Sequence, residues 1–102
     1  MVTLTVLYPY DADKPFDEAY FHATHVPLLR EVWGDAVTGV TCHHALAGLT
    51  DAGPAFSTIV QVEFGSMEAF QGAMAQPRSG EVQADVPNYA GVVPLTQLSR
   101  RA

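Results

Sequence analysis

The order of its extended and helical segments constrains this chain more than any other feature. Four runs rich in β-branched and aromatic residues alternate with two segments in which apolar residues recur at helical spacing. The pattern predicts strands over residues 2–8, 38–47, 56–64 and 92–98, and helices over residues 16–33 and between Ser66 and Pro77. The expected order of elements is therefore βαββαβ.

This order is typical of an α+β fold, the two-layer ferredoxin-like (split βαβ) sandwich. Right-handed crossovers place both helices on one face of a four-stranded antiparallel sheet. With 102 residues, of which 48% are hydrophobic, the chain is long enough to build a core. We expect a single domain over residues 1–102.

The face of the predicted sheet that the helices leave uncovered also carries apolar side chains, which must be shielded from water. Apolar residues point to both sides of several strands, as with Ile59 beside Val60. A large apolar surface left in water favours association, and the simplest partner is a second copy related by a two-fold axis. We therefore expect a homodimer that packs sheet against sheet.

Charge and motif content exclude several classes of function. Five basic and eleven acidic residues give a net charge of −6, which repels a phosphate backbone, so we expect no nucleic-acid partner. The chain has one cysteine, which excludes an internal disulfide. It contains neither a glycine-rich dinucleotide motif nor a P-loop, so we predict no nicotinamide, flavin or other cofactor.

The sequence also carries no targeting signal that we can identify. No apolar run approaches the ~18 residues of a membrane span. The N-terminal segment MVTLTVLYPY lacks the basic start and the cleavage site of a signal peptide. We therefore expect no membrane partner and a location in the cytoplasm.

Pro27 interrupts the first predicted helix. Proline lacks a backbone donor and clashes with the carbonyl group four residues earlier, so we expect a kink near residues 23–26. A kink leaves free carbonyl groups and a distorted groove. His22 and His25 lie beside it, which makes both histidines candidates for a functional site.

The sequence contains four short motifs in a particular order and spacing: Leu7-Tyr8-Pro9, Phe16-Asp17-x-x-Tyr20, His25-Val26-Pro27-Leu28 and Asp85-x-x-Asn88-Tyr89. Together they resemble the EthD family, named for ethyl tert-butyl ether degradation. The resemblance implies a dimeric α+β barrel, in which two ferredoxin-like units close their sheets around a central space. It also implies a small organic ligand, aromatic or polyketide-like, in a catabolic or oxidative pathway. Related barrels include monooxygenases that use neither metal nor flavin.

The resemblance places the family's motif histidine at His25, and an aspartate and an aromatic residue near Asp85 and Tyr89, in a long polar connection predicted over residues 78–90. Histidine suits proton transfer near neutral pH, and a carboxylate beside it fixes its tautomer and raises its basicity. We therefore name His25 and Asp85 as the candidate catalytic pair. The competing interpretations are a structural histidine that binds a freed backbone carbonyl and an aspartate that belongs to an ordinary turn.

Tyr8, Tyr20, Tyr89 and His22 are the candidates for binding a substrate. Tyrosines at strand ends are more often core residues with a bonded hydroxyl, and His22 is alternatively a solvated surface side chain. We predict no metal site, because His22 and His25 supply only two ligands and a zinc site takes three or four. His43 and His44 point to opposite faces of their strand, so they cannot chelate one ion together.

Different classes of function are compatible with these residues. The first is an enzyme or ligand-processing barrel, a cofactor-independent oxidoreductase or isomerase in which His25 removes a proton. The second is a non-catalytic accessory protein or ligand carrier of such a pathway, which binds a ligand without turnover. The third is a haem-binding barrel with His25 or His44 as axial ligand, which a haem absorption band would identify.

Overall fold

A four-stranded antiparallel sheet forms one layer of the computed structural model, which describes residues 1–102. The strands lie in the order β2-β3-β1-β4. Their bounds are β1 (Val2–Pro9), β2 (Val37–His44), β3 (Phe56–Phe64) and β4 (Leu95–Arg100). Helical segments connect β1 to β2 and β3 to β4, and every neighbouring pair of strands is antiparallel. This confirms the predicted α+β ferredoxin-like fold.

The segment between β1 and β2 is helical from Glu18 onward, but it is not one regular helix. Asp17 caps it by accepting a hydrogen bond from the Tyr20 N–H at 3.0 Å. The helix therefore begins at Glu18 and not at Phe16 as expected. Its parts are α1 (Glu18–Tyr20), a π-helical turn (Phe21–His25) and α2 (Val26–Trp33).

The π-helical turn lies directly before Pro27. The Val26 N–H donates to the carbonyl group of Phe21, five residues earlier, so the turn holds one residue more than a turn of α-helix. Pro27 falls at the start of α2, where its ring and missing donor are tolerated. The expected kink thus takes the form of a widened turn, a feature that often occurs at functional sites.

The segment after β3 contains α3 (Met67–Met74) and α4 (Ser79–Ala84). Ser66 caps α3 by accepting from the Ala69 N–H at 3.0 Å, as predicted. The helix α4 lies within residues 78–90, where the sequence predicted a long polar connection and no helix. Only Ser79 and Val82 of α4 are buried, so its apolar pattern is too short to indicate a helix. None of the helices has the length and apolar character that crossing a bilayer requires.

Two strands differ from their predicted bounds. β2 covers Val37–His44 and not residues 38–47, because the chain leaves the sheet after the Ala45 N–H bonds to the Ser57 carbonyl. β4 covers Leu95–Arg100 and not residues 92–98. Pro94 has no N–H to donate to a neighbouring strand, and residues 91–94 line a cavity instead.

The core lies between the helices and the sheet. Val60, Val62 and Phe64 alternate along β3 and are all buried on the helix side. Phe64 is completely buried, and its ring centroid lies 5.8 Å from that of Trp33 and 5.2 Å from that of Phe70. The core therefore joins β3 to both helical segments.

The opposite face of the sheet is covered by no helix and is apolar only at one end. Leu7 pairs with Ile59 on one side and with Leu95 on the other, so these side chains form an apolar row across three strands. The next row along the sheet is polar, because Thr5 pairs with Gln61 and Gln97. The expectation of apolar residues on both faces thus holds for the first row and not for the whole surface.

Candidate functional site

A cavity of about 770 Å³ lies between the helical layer and the sheet. Most of the residues that line it are hydrophobic, and none is an aspartate, glutamate, lysine or arginine. Its polar side chains include Tyr8, His25, Gln83 and Thr96. The volume falls within the ~300–1,000 Å³ typical of small-molecule sites, which combine apolar walls with a few placed polar groups.

His25 is held in the cavity wall by the π-helical turn. Only 4% of the residue is exposed, and its ring stacks on Phe21 with centroids 5.4 Å apart. The Nδ1 atom of His25 lies 2.9 Å from Oδ2 of Asp85. The structure thus brings together the two residues that the sequence analysis named as a catalytic pair.

Asp85 follows α4, and two further hydrogen bonds hold its carboxylate in place. The Tyr20 hydroxyl donates to Oδ1 of Asp85 at 2.6 Å, and the Asn88 side-chain amide donates to the same oxygen at 2.9 Å. Burial acts to raise the pKa of Asp85, but the hydrogen bonds from Tyr20, Asn88 and His25 outweigh burial and hold that pKa below its usual value. Asp85 is therefore ionised at neutral pH.

Tyr89 and Tyr8 continue the hydrogen-bonded chain on the other side of His25. The Tyr89 hydroxyl lies 3.2 Å from Nε2 of His25, and the Tyr8 hydroxyl lies 2.5 Å from that of Tyr89. All three residues are buried. A continuous path of polar atoms thus runs from Asp85 through the imidazole to the end of β1.

The surroundings of these hydrogen-bonded residues determine which of their atoms carry protons. Burial lowers the pKa of His25, against the opposing effect of Asp85, so the imidazole is neutral at neutral pH. Because Asp85 is an acceptor only, the His25 proton lies on Nδ1 and points to the carboxylate. Nε2 then accepts from the Tyr89 hydroxyl, and the Tyr89 oxygen accepts from Tyr8.

An aromatic shell surrounds the two buried tyrosines. Phe16 packs against Tyr8 and Tyr89, with ring centroids 5.1 and 5.3 Å apart. The ring centroid of Tyr89 also lies 5.1 Å from that of Phe21 and 6.2 Å from that of Tyr20, which stacks on Tyr89. These rings exclude water from the hydrogen-bonded chain, which strengthens the bonds within it.

His22 lies outside this arrangement. It is exposed and does not line the cavity, and its Nε2 lies 2.7 Å from Nε2 of His44. His44 is bound on its other side to Thr58, at 2.9 Å between Nδ1 and Oγ1. No three histidine, cysteine or acidic side chains gather where they could hold a metal ion. The placement gives no support to the expectation that His22 binds a substrate.

One member of the site was not predicted from the sequence. Asn88 donates to Asp85 but was named only as part of the Asp85-x-x-Asn88-Tyr89 motif. An Asp and an Asn three residues apart in a turn are a recognisable signal, since such side chains commonly bond to one another there. The partners Tyr8 and Tyr89 were both named, whereas their contact across 81 positions of the chain was not.

The structure resembles solved structures over nearly its whole length. An EthD-like protein from Ralstonia eutropha JMP134 is 32% identical, with a TM-score of 0.87, over 97% of this chain and 89% of that chain. An ethyl tert-butyl ether degradation (EthD) family protein from Bacillus halodurans C-125 is 20% identical, with a TM-score of 0.75, over 100% of this chain and 99% of that chain. SnoaB, a cofactor-independent oxygenase from Streptomyces nogalater, is 14% identical, with a TM-score of 0.66, over 99% of this chain and 92% of that chain. The last two share the fold with this chain. No protein-family model matches the chain, and no curated protein matches it.

Proposed function

The chain belongs to the EthD family, and on that premise we propose that it is an enzyme that removes a proton from a small, largely apolar organic molecule. The molecule is aromatic or polyketide-like and occupies the cavity of about 770 Å³. His25 is the base, and Asp85 is the residue that positions it. Acid–base groups alone can move a proton, so the step requires no cofactor.

The contact between Asp85 and His25, which lies in the wall of an apolar cavity, is the observation that carries this proposal. Asp85 holds the imidazole proton on Nδ1, which leaves Nε2 as the basic nitrogen. When Nε2 takes a proton, the new positive charge lies 2.9 Å from an ionised carboxylate. The carboxylate stabilises the imidazolium in a site from which water is largely excluded.

The cavity walls restrict the kind of molecule that fits. They offer no cationic side chain that could pair with a carboxylate or phosphate group. A neutral molecule with a carbonyl group and a large hydrocarbon surface matches them best. Removal of a proton from the carbon beside that carbonyl produces an enolate, and return of the proton to another carbon completes an isomerisation.

Exchange of the α-hydrogens of 2-tetralone for deuterium in D₂O tests the proposal. This bicyclic ketone is neutral and mostly hydrocarbon, and NMR follows the exchange directly. The wild-type protein is expected to accelerate exchange over buffer, and His25→Ala is expected to lose about 10²–10⁴-fold of that acceleration. Thr24→Ala, at an exposed neighbour in the same turn, serves as the matched control and is expected to retain it.

The same experiment separates an enzyme from a ligand carrier. If wild-type protein binds 2-tetralone and does not accelerate exchange, or if His25→Ala matches wild type, His25 is not the base. Binding without acceleration would instead favour the carrier. A circular dichroism spectrum of each variant establishes that the fold is retained.

The geometry does not favour the haem-binding alternative. Both ring nitrogens of His25 are engaged, by Asp85 and by Tyr89. Both ring nitrogens of His44 are engaged as well, and His44 does not line the cavity. An axial ligand needs a free nitrogen directed at the iron, and neither histidine offers one to the cavity.

We further propose that the protein is a homodimer that packs sheet against sheet. The row formed by Leu7, Ile59 and Leu95 supports this, since it lies on the uncovered face and Leu95 is 56% exposed. A second copy would bury the row and the polar rows beside it, whose threonine and glutamine side chains can bond across a two-fold interface.

Ile59→Lys is expected to disrupt this dimer. It places an ammonium group in the apolar row, and burial of an unpaired charge costs several kcal/mol, so the dissociation constant should rise about 100-fold or more. Sedimentation velocity at micromolar concentration measures this, with Gln71→Lys on the exposed surface of α3 as a control. A wild-type protein that sediments as a monomer would refute the dimer.

A further inference from the structure

Both ring nitrogens of His25 are already occupied in the structure. Nδ1 donates to Asp85, and Nε2 accepts from the Tyr89 hydroxyl. A ligand in the cavity therefore meets no free imidazole nitrogen. A proton that reaches Nε2 must come through Tyr89, unless the ligand first displaces that hydroxyl.

Tyr8 connects the hydrogen-bonded series Asp85, His25 and Tyr89 to the cavity. Tyr8 lines the cavity, whereas Tyr89 does not. The Tyr8 hydroxyl bonds to Tyr89 and to no other side chain, and a phenol oxygen can both donate and accept. One bonding position on the Tyr8 oxygen is therefore left for a ligand.

We propose that the Tyr8 hydroxyl, and not the His25 ring, exchanges the proton with the ligand, and that Tyr89 conducts the proton between Tyr8 and His25. This inference rests on the proposed function, since it assigns the route by which His25 acts. Tyr8 is then the catalytic residue that touches the ligand. Tyr89 and Asp85 act through their neighbours and are positioning residues.

The step conserves protons and electron pairs. The ligand C–H bond breaks, its electron pair stays on the ligand as an enolate, and the proton forms a new O–H bond at Tyr8. Tyr8 passes its original proton to the Tyr89 oxygen, and Tyr89 passes its own to Nε2 of His25. Both tyrosines end neutral, and the charges created are the enolate and the imidazolium beside Asp85. The reverse sequence returns a proton to the ligand.

The surroundings of the two tyrosines support a concerted transfer. Burial is the main cause that raises the pKa of Tyr8 and of Tyr89 above their usual values. A free tyrosinate is therefore disfavoured at either residue, and each must gain one proton as it gives up another. The short 2.5 Å separation of the two hydroxyl oxygens suits such a hand-over.

Tyr8→Phe and Tyr89→Phe test the route in the 2-tetralone exchange assay. Each substitution keeps the aromatic ring and removes only the hydroxyl. We expect each variant to lose about 10²-fold or more of the acceleration, and Tyr10→Phe, at an exposed tyrosine outside the site, to lose none. If His25→Ala is inactive while Tyr8→Phe exchanges at the wild-type rate, the route is wrong and the role of His25 stands. If wild type itself gives no acceleration, the proposed function fails and the route with it.

A spectroscopic signature tests the same connection without any ligand. Protonation of His25 turns Nε2 into a donor, so Tyr89 must then donate to Tyr8 instead of accepting from it. With ¹³Cζ-labelled tyrosine, the Tyr8 resonance is expected to shift with the same midpoint as the His25 ring. Tyr89→Phe should abolish the Tyr8 shift while His25 still titrates, which a purely structural role of Tyr89 would not produce. A Tyr8 resonance in wild type that ignores His25 would overturn the inference.

Discussion

Asp85→Asn is expected to slow the exchange of 2-tetralone by about 10²–10⁴-fold while the fold is retained. The Tyr20 hydroxyl and the Asn88 amide both donate to Oδ1 of Asp85, so the amide oxygen of the variant must occupy that position. The amide nitrogen then faces Nδ1 of His25 and donates to it. His25 must carry its proton on Nε2, where it can no longer accept another.

Two measurements together check this reversal. The exchange rate reports the loss of function, and the ¹⁵N shifts of the His25 ring report which nitrogen carries the proton. Asp51→Asn, at an exposed position in the loop between β2 and β3, is the control for removing one negative charge. An Asp85→Asn protein with the reversed tautomer and full activity would show that the tautomer of His25 does not matter to the reaction.

Phe64→Ala is expected to lower the free energy of unfolding by about 3–5 kcal/mol. Phe64 is completely buried, and its ring packs against Trp33 of α2 and Phe70 of α3. Its removal opens a cavity at the junction of the sheet with two helices, which cannot all collapse inward. A domain of this size has a total stability of about 5–15 kcal/mol, so the variant should lie near the limit of folding.

Urea unfolding at one fixed protein concentration measures the change, since association with a second copy would add to the apparent stability. Leu49→Ala is the control, because the Leu49 side chain is fully exposed in the loop after β2. That substitution should alter the unfolding free energy by less than about 0.5 kcal/mol. A loss below about 1 kcal/mol for Phe64→Ala would mean that the junction repacks.

The order of elements was accessible from the sequence because β1 and β3 alternate clearly and two segments carry apolar residues at helical spacing. β3 was predicted with its observed bounds, since apolar residues alternate along it and every second residue from Thr58 to Phe64 is buried. The helix α4 was missed because six residues with two buried side chains carry too little periodicity. The start of β4 was misplaced because valines at 92 and 93 resemble a strand, whereas they lie beside the cavity.

The candidate site was only partly accessible for a different physical reason. The pairing of His25 with Asp85, 60 positions apart, was predicted with the help of the family resemblance. The contact of Tyr20 with Asp85, 65 positions apart, was not predicted. Such contacts depend on how α2 and the segment after α4 meet over the sheet, which local periodicity does not encode. The pairing of His22 with His44 was unforeseen for the same reason.

The additional residue in the turn Phe21–His25 sets the direction in which side chains before the turn point relative to those after it. In an α-helix each residue advances by about 100°, so deletion of one residue here would rotate Tyr20 by roughly that angle relative to Leu29. Leu29 and Trp33 could stay seated on the sheet while the Tyr20 phenol swung away from the carboxylate that it now binds. Deletion or insertion of one codon in this turn would then detach or restore a partner of the carboxylate that binds the imidazole.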